Sequence, residues 1–302
     1  MSKRLFIIFI LMLCFVLPAC TYEKKDDGKI KIISTVFPGY DFAKQVIGDN
    51  ENITVQQLLP PGIESHGYEP SPKEMIAIEE CDLFIYVGGE SDTWVEKILK
   101  TMQSPPKTVK MMEHVALVNN NHDHGFHEEY DEHVWTSLEN AICIIQNICK
   151  EICLLDNTNS EEYTNNAANY CNEIEKIKQE FTSVFEKCAN KKMVFGDRFP
   201  FIYFANEFGL DYLAAFPGCS SETEPDAGTL ATIIETVKKE KIRAVFFIEF
   251  SNSRVAETIA KETGAQARLF HSCHNVSQKE LDSGVTYLSL MRQNLETIME
   301  VM

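Results

Sequence analysis

The sequence predicts an α/β protein with two lobes, each built on a parallel sheet, joined by one long rigid helix. Short apolar, β-branched runs alternate with helical patterns in the first half of the chain, and the same rhythm returns in the second half. Between the halves lies a helical stretch, Glu161–Ala189, that contains neither Pro nor Gly. Strands that alternate with helices at this spacing are typical of parallel sheets with helices on both faces.

The first lobe carries its strands in three apolar runs. They are predicted over Lys31–Val36, Ile53–Leu59 and Leu83–Val87. Helical patterns fill the intervals and continue beyond them, over Asp41–Ile47, 73–80, Asp92–Met102 and 137–153. The polar, histidine-rich segment 119–132 interrupts this rhythm and is typical of a loop.

The central helix is predicted from its apolar spacing. Tyr163, Tyr170, Ile177 and Val184 belong to a series that recurs at three- and four-residue steps. Thr158 and Glu161 have the spacing of a capping box at its start. A helix of this length spans roughly 43 Å at 1.5 Å per residue, which predicts a rigid strut between the lobes.

The second lobe repeats the alternation of strands and helices. Strands are predicted over Lys192–Phe195, Ala244–Glu249 and Ala267–Phe270. Helices are predicted over Phe199–Glu207, Thr229–Glu240, Arg254–Thr263 and, as one amphipathic terminal helix, Glu280–Met302.

The N-terminus has the features of an export signal. Lys3 and Arg4 precede a short apolar run, Leu5–Val16, which is below the about 20 residues that a membrane-spanning helix needs. The following Leu-Pro-Ala-Cys resembles a bacterial lipobox, which predicts lipidation of Cys20; the alternative is plain secretion with cleavage near Ala19. We therefore expect a signal peptide over 1–19, a tether over 20–30, a first lobe over 31–157, a linking helix over 158–190 and a second lobe over 191–302.

Charge and cysteine content narrow the classes of partner. The net charge of −17 argues against nucleic acid as a partner, because binding it needs clustered Lys and Arg, and suits a protein that binds cations.

Eight cysteines remain beyond Cys20, and their spacing does not suggest a disulfide framework. Most are expected as buried thiols, with Cys219 and Cys273 open to either metal binding or a mutual disulfide.

Two histidines stand in loops suited to a ligand site. His66 lies in PPGIESHGYEPSP, directly after a predicted strand, where open α/β sheets place their ligands. His133 lies in YDEHVW, before a helix. Neutral imidazole is the commonest metal ligand, and a carboxylate usually fixes which ring nitrogen faces the metal. Glu64 and Asp131 are the candidates for that orienting role.

The strings PGIESHGYEPSP and DEHVW resemble the first two ligand motifs of the zinc- and manganese-binding receptors of bacterial ABC importers. The long helix, the two α/β halves and the lipobox agree, so the resemblance covers the whole mature chain. It implies one metal in the cleft between lobes, with His66 and His133 as ligands from the first lobe. The family's histidine-rich loop precedes the second motif, and His122, His124 and His127 are expected there as a metal collector.

The second lobe departs from the family pattern. The family's third ligand opens a motif that aligns with RFPFIYF here, so Arg198 occupies its place. Arg198 has no lone pair to give, and Asp197 beside it is a possible substitute. We expect Arg198 to turn away from the metal and to bind a carboxylate such as Asp197 or Glu222, or backbone carbonyls.

The family's fourth ligand falls close to the cluster LFHSCH, which follows the last predicted strand. His271, His274 and Cys273 are its candidate ligands, and Cys219 is a further candidate at a turn. Imidazoles with an optional thiolate favour Zn²⁺, whereas Mn²⁺ sites rely on carboxylate oxygens. His114 is expected to be structural.

These features predict a monomeric, lipid-anchored extracytoplasmic receptor that captures Zn²⁺, with Mn²⁺ as the alternative, for an ABC importer membrane permease. A secreted zinc hydrolase is the first rival, but the sequence lacks an HExxH helix and a nucleophile elbow, so no enzyme activity is expected. The second rival is an adhesin whose metal site is structural. A closed four-coordinate site would indicate capture rather than catalysis.

Overall fold

The computed structural model describes residues 28–64, 67–119, 130–216 and 225–302. Each lobe contains a sheet of four parallel strands in the same relative order. The α/β class and the two-lobed arrangement expected from the sequence are confirmed. No helix within the described ranges is long and apolar enough to cross a bilayer.

The first sheet has the order β2-β1-β3-β4. Its strands are β1 (Ile30–Ser34), β2 (Ile53–Gln57), β3 (Leu83–Tyr86) and β4 (Lys107–Lys110). All four residues of the central strand β3 are buried, as expected for a parallel strand covered on both faces. Helices α1 (Phe37–Ile47), α2 (Pro72–Glu80) and α3 (Thr93–Leu99) connect the strands.

Two long helices connect the lobes. They are α4 (Leu138–Leu155) and α5 (Ser160–Lys187), which pack against each other. The inward residues of α5, among them Tyr163, Ile174 and Phe181, are fully buried in the main hydrophobic core. The apolar period therefore predicted the buried face of the linking helix correctly. The proposed capping box was wrong, because Thr158 lies in a 3-10 turn and the side chain of the N-cap residue Asn159 makes no capping hydrogen bond.

The second sheet has the order β6-β5-β7-β8. Its strands are β5 (Lys192–Phe195), β6 (Asp211–Ala214), β7 (Ala244–Phe247) and β8 (Gln266–Leu269). Its helices are α6 (Ile202–Phe208), α7 (Ala227–Glu240), α8 (Arg254–Thr263), α9 (Gln278–Asp282) and α10 (Tyr287–Val301). Helix α10 returns to pack against α5 and against α1 of the first lobe.

The structure corrects three details of the secondary structure. Strands β4 (KTVK) and β6 (DYLA), both at a sheet edge, were not predicted. The terminal helix is two helices, because the chain turns at Gly284, whose φ of 75° favours glycine.

Hydrogen bonds fasten the two lobes directly to each other. Trp135 Nε1 donates to the carbonyl oxygen of Ser272 at 2.8 Å, and the Tyr287 hydroxyl donates to the carbonyl of Trp135 at 2.8 Å. The Tyr203 hydroxyl donates to the carbonyl of Asp131 at 2.6 Å. These donors and acceptors are buried, so the bonds hold the first-lobe segment 131–135 against the second lobe.

Candidate metal centre

His133 is held in place by the acid two residues before it. Asp131 Oδ1 accepts hydrogen bonds from the His133 backbone N–H at 2.8 Å and from its Nδ1 at 3.0 Å. Both residues are almost completely buried. A proton on Nδ1 leaves the lone pair on Nε2, so the contact selects the tautomer that a metal-binding imidazole needs. Asp131 thus has the orienting position expected from the sequence.

His274 of the second lobe lies next to His133. The two ring centroids are 5.4 Å apart, with the ring planes at 82°. The Trp135 ring contacts both, at centroid distances of 5.4 Å from His133 and 5.0 Å from His274. The structure therefore brings together one candidate ligand from each lobe around a buried indole.

The loop that carries His274 is fixed by Glu249 at the end of β7. Its carboxylate accepts from the Ser272 backbone N–H at 2.7 Å and from the Ser272 hydroxyl at 2.5 Å. It also accepts from the His274 backbone N–H at 3.3 Å. These bonds position the backbone of His274, and they engage both carboxylate oxygens of Glu249 with the loop.

His271 and Cys273 have a different environment from His274. His271 Nδ1 accepts the Cys273 backbone N–H at 2.9 Å, which places the proton of a neutral ring on Nε2. That Nε2 is buried and has no hydrogen-bond partner within the described part of the chain. Cys273 is wholly buried, and burial raises the pKa of its thiol well above the ordinary value, with Glu249 and Asp41 adding to the rise. The hydrogen bond at His271 Nδ1 favours a structural role for His271, and the burial of the thiol favours one for Cys273.

Asp197 serves the backbone at the end of β5. Its Oδ1 accepts from the Arg198 backbone N–H at 2.8 Å, and its Oδ2 accepts from the Ile248 backbone N–H at 3.0 Å and from the Ser251 hydroxyl. Burial raises the pKa of this carboxyl group, while these bonds lower it. Both oxygens are engaged, which favours a structural role for Asp197 over metal ligation.

Arg198 forms its closest ion pair with the first lobe. Its two terminal nitrogens contact the two carboxylate oxygens of Glu64 at 3.1 and 2.5 Å, whereas its Nε is 3.9 Å from Asp197. The partner expected from the sequence was Asp197 or Glu222; the Asp197 contact is the longer one, and Glu222 lies outside the described residues. Glu64, a candidate for orienting a metal-binding histidine, is bound to Arg198, and His66 lies outside the described residues.

Several predicted site residues lie outside the described ranges. They are His66, His122, His124, His127, Cys219 and the lipidation candidate Cys20. Among residues 28–64, 67–119, 130–216 and 225–302, no group of three or more His, Cys, Asp or Glu side chains is arranged to hold a metal ion. The described part therefore contributes an imidazole pair rather than a complete ligand set.

Sequence reasoning overlooked the residues that support the two imidazoles. Trp135 was part of the DEHVW motif without an assigned role, although it follows the candidate ligand His133 by only two residues. Glu249 ends the apolar run AVFFIE, and an acid at the carboxyl end of a buried strand was a usable signal. Ser272 gave none, because serine is common in loops.

The fold is that of a two-lobed α/β binding protein, and it places one imidazole from each lobe side by side. Residues 32–301 match the family model of zinc-uptake complex component A, periplasmic, called ZnuA. The chain belongs to this family.

Individual relatives agree with that assignment. The chain is 31% identical over 306 residues to the zinc-binding lipoprotein AdcA of Streptococcus pneumoniae, covering 98% of this chain and 60% of AdcA. It is 30% identical over 320 residues to the high-affinity zinc uptake system protein ZnuA of Bacillus subtilis, covering 99% and 98%. The chain thus spans about three fifths of the AdcA relatives.

Solved structures show the same fold. The Zn(II)-bound ZnuA-like domain of S. pneumoniae AdcA has a TM-score of 0.76 and 31% identity, covering 91% of this chain and 99% of that domain. The laminin-binding protein Lmb of Streptococcus agalactiae, described as having adhesin and metal-transporting activity, has a TM-score of 0.77 and 28% identity, covering 90% and 99%.

Proposed function

We propose that this chain is an extracytoplasmic receptor that captures one Zn²⁺ ion between its lobes and delivers it to the membrane permease of an ABC importer. Family membership and the zinc-binding relatives support this function. The protein is a solute-binding receptor by family.

The distance between the His133 and His274 rings carries the proposal. With Zn–N bonds of about 2.0–2.1 Å and a ring centroid about 1.1 Å beyond the nitrogen, two imidazoles on one tetrahedral zinc have centroids about 5.2 Å apart. The observed separation is 5.4 Å. The pair therefore has the spacing of a zinc site before any ion is placed in it.

His66 is proposed as the third ligand. The described residues that lead to it pack beside His274: the Gly62 backbone N–H donates to the Val276 carbonyl at 2.9 Å. The Asn275 side-chain amide donates to the carbonyls of Pro60 and Ile63 at 2.7 and 2.8 Å. Arg198 cannot donate a lone pair, so it cannot be the third ligand. The contacts of Gly62 and Asn275 bring the residues that lead to His66 beside His274, and they support a site of three imidazoles.

The ligand chemistry favours zinc over manganese. Three neutral imidazoles are nitrogen donors, which suit Zn²⁺, and Mn²⁺ prefers carboxylate and water oxygens. Of the nearby carboxylates, Glu249 binds Ser272 through both oxygens, and Asp131 binds His133 through Oδ1, while its Oδ2 is buried without a hydrogen-bond partner among the described residues.

Single-histidine variants test the ligand assignment. His133→Ala and His274→Ala should each weaken zinc binding at least tenfold, about 1.4 kcal/mol, because each removes one of few ligands. The exposed His114→Ala serves as the control and should bind zinc as tightly as the parent. Calorimetry with zinc, and thermal unfolding of each metal-free variant, separate lost ligation from misfolding. Unchanged affinity in both His133→Ala and His274→Ala would refute the site.

X-ray absorption distinguishes imidazole from thiolate coordination. We expect a shell of nitrogen and oxygen near about 2.0–2.1 Å in the reduced, zinc-loaded protein. A sulfur shell near about 2.3 Å would instead support Cys273 or Cys219 as a ligand. Such a shell would overturn the three-imidazole set while leaving metal capture intact.

The membrane anchor is proposed at Cys20. The lipobox-like sequence supports it, and the AdcA relative is named a lipoprotein. Mass spectrometry of the membrane-extracted protein should find a diacylglycerol thioether on Cys20, and Cys20→Ala should release the protein into the medium. Retention of the Cys20→Ala variant in the membrane fraction would contradict the anchor.

A further inference from the structure

Two cysteine thiols lie side by side on α4, away from the metal centre. Cys149 and Cys153 are one helical turn apart, and their Sγ atoms are 4.0 Å from each other. Both are free thiols in the structure. Helix α4 rises 1.5 Å per residue, so Cys149 lies roughly 16 Å along it from Leu138, beyond the reach of the His133 site.

Helix geometry keeps these thiols from joining as a disulfide. Residues four apart on a helix have Cβ atoms about 5–6 Å apart. Disulfides need a Cβ separation of about 3.5–4.5 Å, so the bond would distort α4. The thiols are thus paired in space and resist oxidation to each other, which leaves them available to an ion that bridges them.

The Sγ separation suits a shared metal. With metal–sulfur bonds of about 2.3 Å, two thiolates lie about 3.8 Å apart at a tetrahedral angle and about 4.6 Å apart in a linear arrangement. The observed 4.0 Å falls within this range. A small rotation about the Cα–Cβ bonds is enough to reach the linear geometry.

The neighbouring donors select the metal. Cys153 Sγ is 3.6 Å from the Ser160 carbonyl oxygen and 4.0 Å from Thr164 Oγ1, both on α5. These neutral oxygens are not the usual ligands of zinc, and the described residues supply no third His, Cys, Asp or Glu to complete a zinc site. Two soft sulfur donors without further ligands favour Cu(I).

Burial shapes the chemistry of the pair. Cys149 is 7% exposed and Cys153 is half-buried, so an ion would enter from the Cys153 side. Burial raises the pKa of the Cys149 thiol to about 11, and the Cys153 thiol adds to the rise. The Cys149 thiol is therefore protonated at neutral pH, and a metal must displace its proton.

We propose that Cys149 and Cys153 form a second metal site, which binds one Cu(I) ion through two thiolates. Each S–H bond is replaced by an S–Cu bond, two protons are released to solvent, and the copper stays in the +1 state. The site is independent of the zinc centre, so it does not rest on the proposed zinc function.

Copper competition on the full chain tests the proposal. The protein is reduced, saturated with zinc to occupy the centre between the lobes, and titrated anaerobically with Cu(I) against the chelator bathocuproine disulfonate. The parent should hold one Cu(I) per chain. Cys149→Ser, Cys153→Ser and the double variant should lose at least tenfold in affinity. Cys188→Ser is the matched control, since Cys188 is another half-buried thiol, bonded at 3.3 Å to the Val184 carbonyl at the end of its own helix.

The outcomes separate cleanly. Copper X-ray absorption should show two sulfur neighbours in the parent and none in the double variant. Equal Cu(I) affinity in the parent and the double variant, or a copper shell of nitrogen and oxygen alone, would overturn the proposal. If Cys149→Ser fails to fold, the more exposed Cys153→Ser decides the question alone. Unchanged zinc affinity in these variants confirms that the zinc centre is intact.

Discussion

Replacing Asp131 tests whether a buried carboxylate tunes His133, the proposed zinc ligand. Asp131 Oδ1 accepts two hydrogen bonds from His133, at 2.8 and 3.0 Å. Asp131→Asn keeps an oxygen able to accept both bonds and removes only the charge. Asp131→Ala removes the contact altogether.

The magnitude follows from the nature of the lost interaction. A hydrogen bond to a charged group contributes about 1.5–3 kcal/mol net, against about 0.5–1.5 kcal/mol for a neutral one. Asp131→Asn should therefore cost about 1–1.5 kcal/mol of zinc binding, close to tenfold in affinity. Asp131→Ala should approach the hundredfold loss seen when a residue that orients a ligand is deleted.

The assay is zinc competition with a chromophoric chelator at pH 7.5, combined with urea unfolding of the metal-free variants. Asp156→Asn is the matched control, because its carboxylate also accepts two side-chain bonds, from Asn159 and Tyr163 at 2.7 Å, at the far end of α4. The control should bind zinc like the parent. Affinities within twofold of the parent in both Asp131 variants would refute the orienting role.

Two further predictions concern the surroundings of the site. Deleting residues 119–129 should slow zinc uptake from dilute metal but leave one tight site per chain, as counted by calorimetry; a stoichiometry of zero would place the site in the loop itself. Arg198→Gln should lower the free energy of unfolding by about 1 kcal/mol or less, because its partner Glu64 is 43% exposed and solvent screens the pair. A loss above about 2 kcal/mol in urea unfolding would show that the pair is a main fastener of the lobes.

The alternation of strands and helices could be predicted because the central strands are mostly buried. β3 (LFIY) is a continuous buried apolar run, and β5 (KMVF) is buried after its first residue, as expected for parallel strands covered on both faces. The edge strands β4 (KTVK) and β6 (DYLA) were not predicted, whereas the edge strands β2 and β8, which are also partly exposed, were.

The site was only partly predictable for a related reason. The motif around His133 named one ligand and its acid, since both are close in sequence. The choice between His271 and His274 depends on Cys273, whose φ of 61° turns the chain between them. Nothing in the letters LFHSCH specifies that turn. The pair between Arg198 and Glu64 joins residues 134 positions apart, and only the folded chain brings them together.

The bonds that fasten the lobes limit how this receptor can report occupancy. A hinge rotation would break buried bonds at Trp135, Tyr203 and Tyr287 together, each costing about 1–3 kcal/mol when its polar group is left unsatisfied. Metal entry must therefore act through side chains and loops rather than through closure of the lobes. If this chain carried one dye on each lobe, energy transfer between the dyes would barely change on metal binding. The fluorescence of Trp135 should change instead, because its ring contacts both imidazoles.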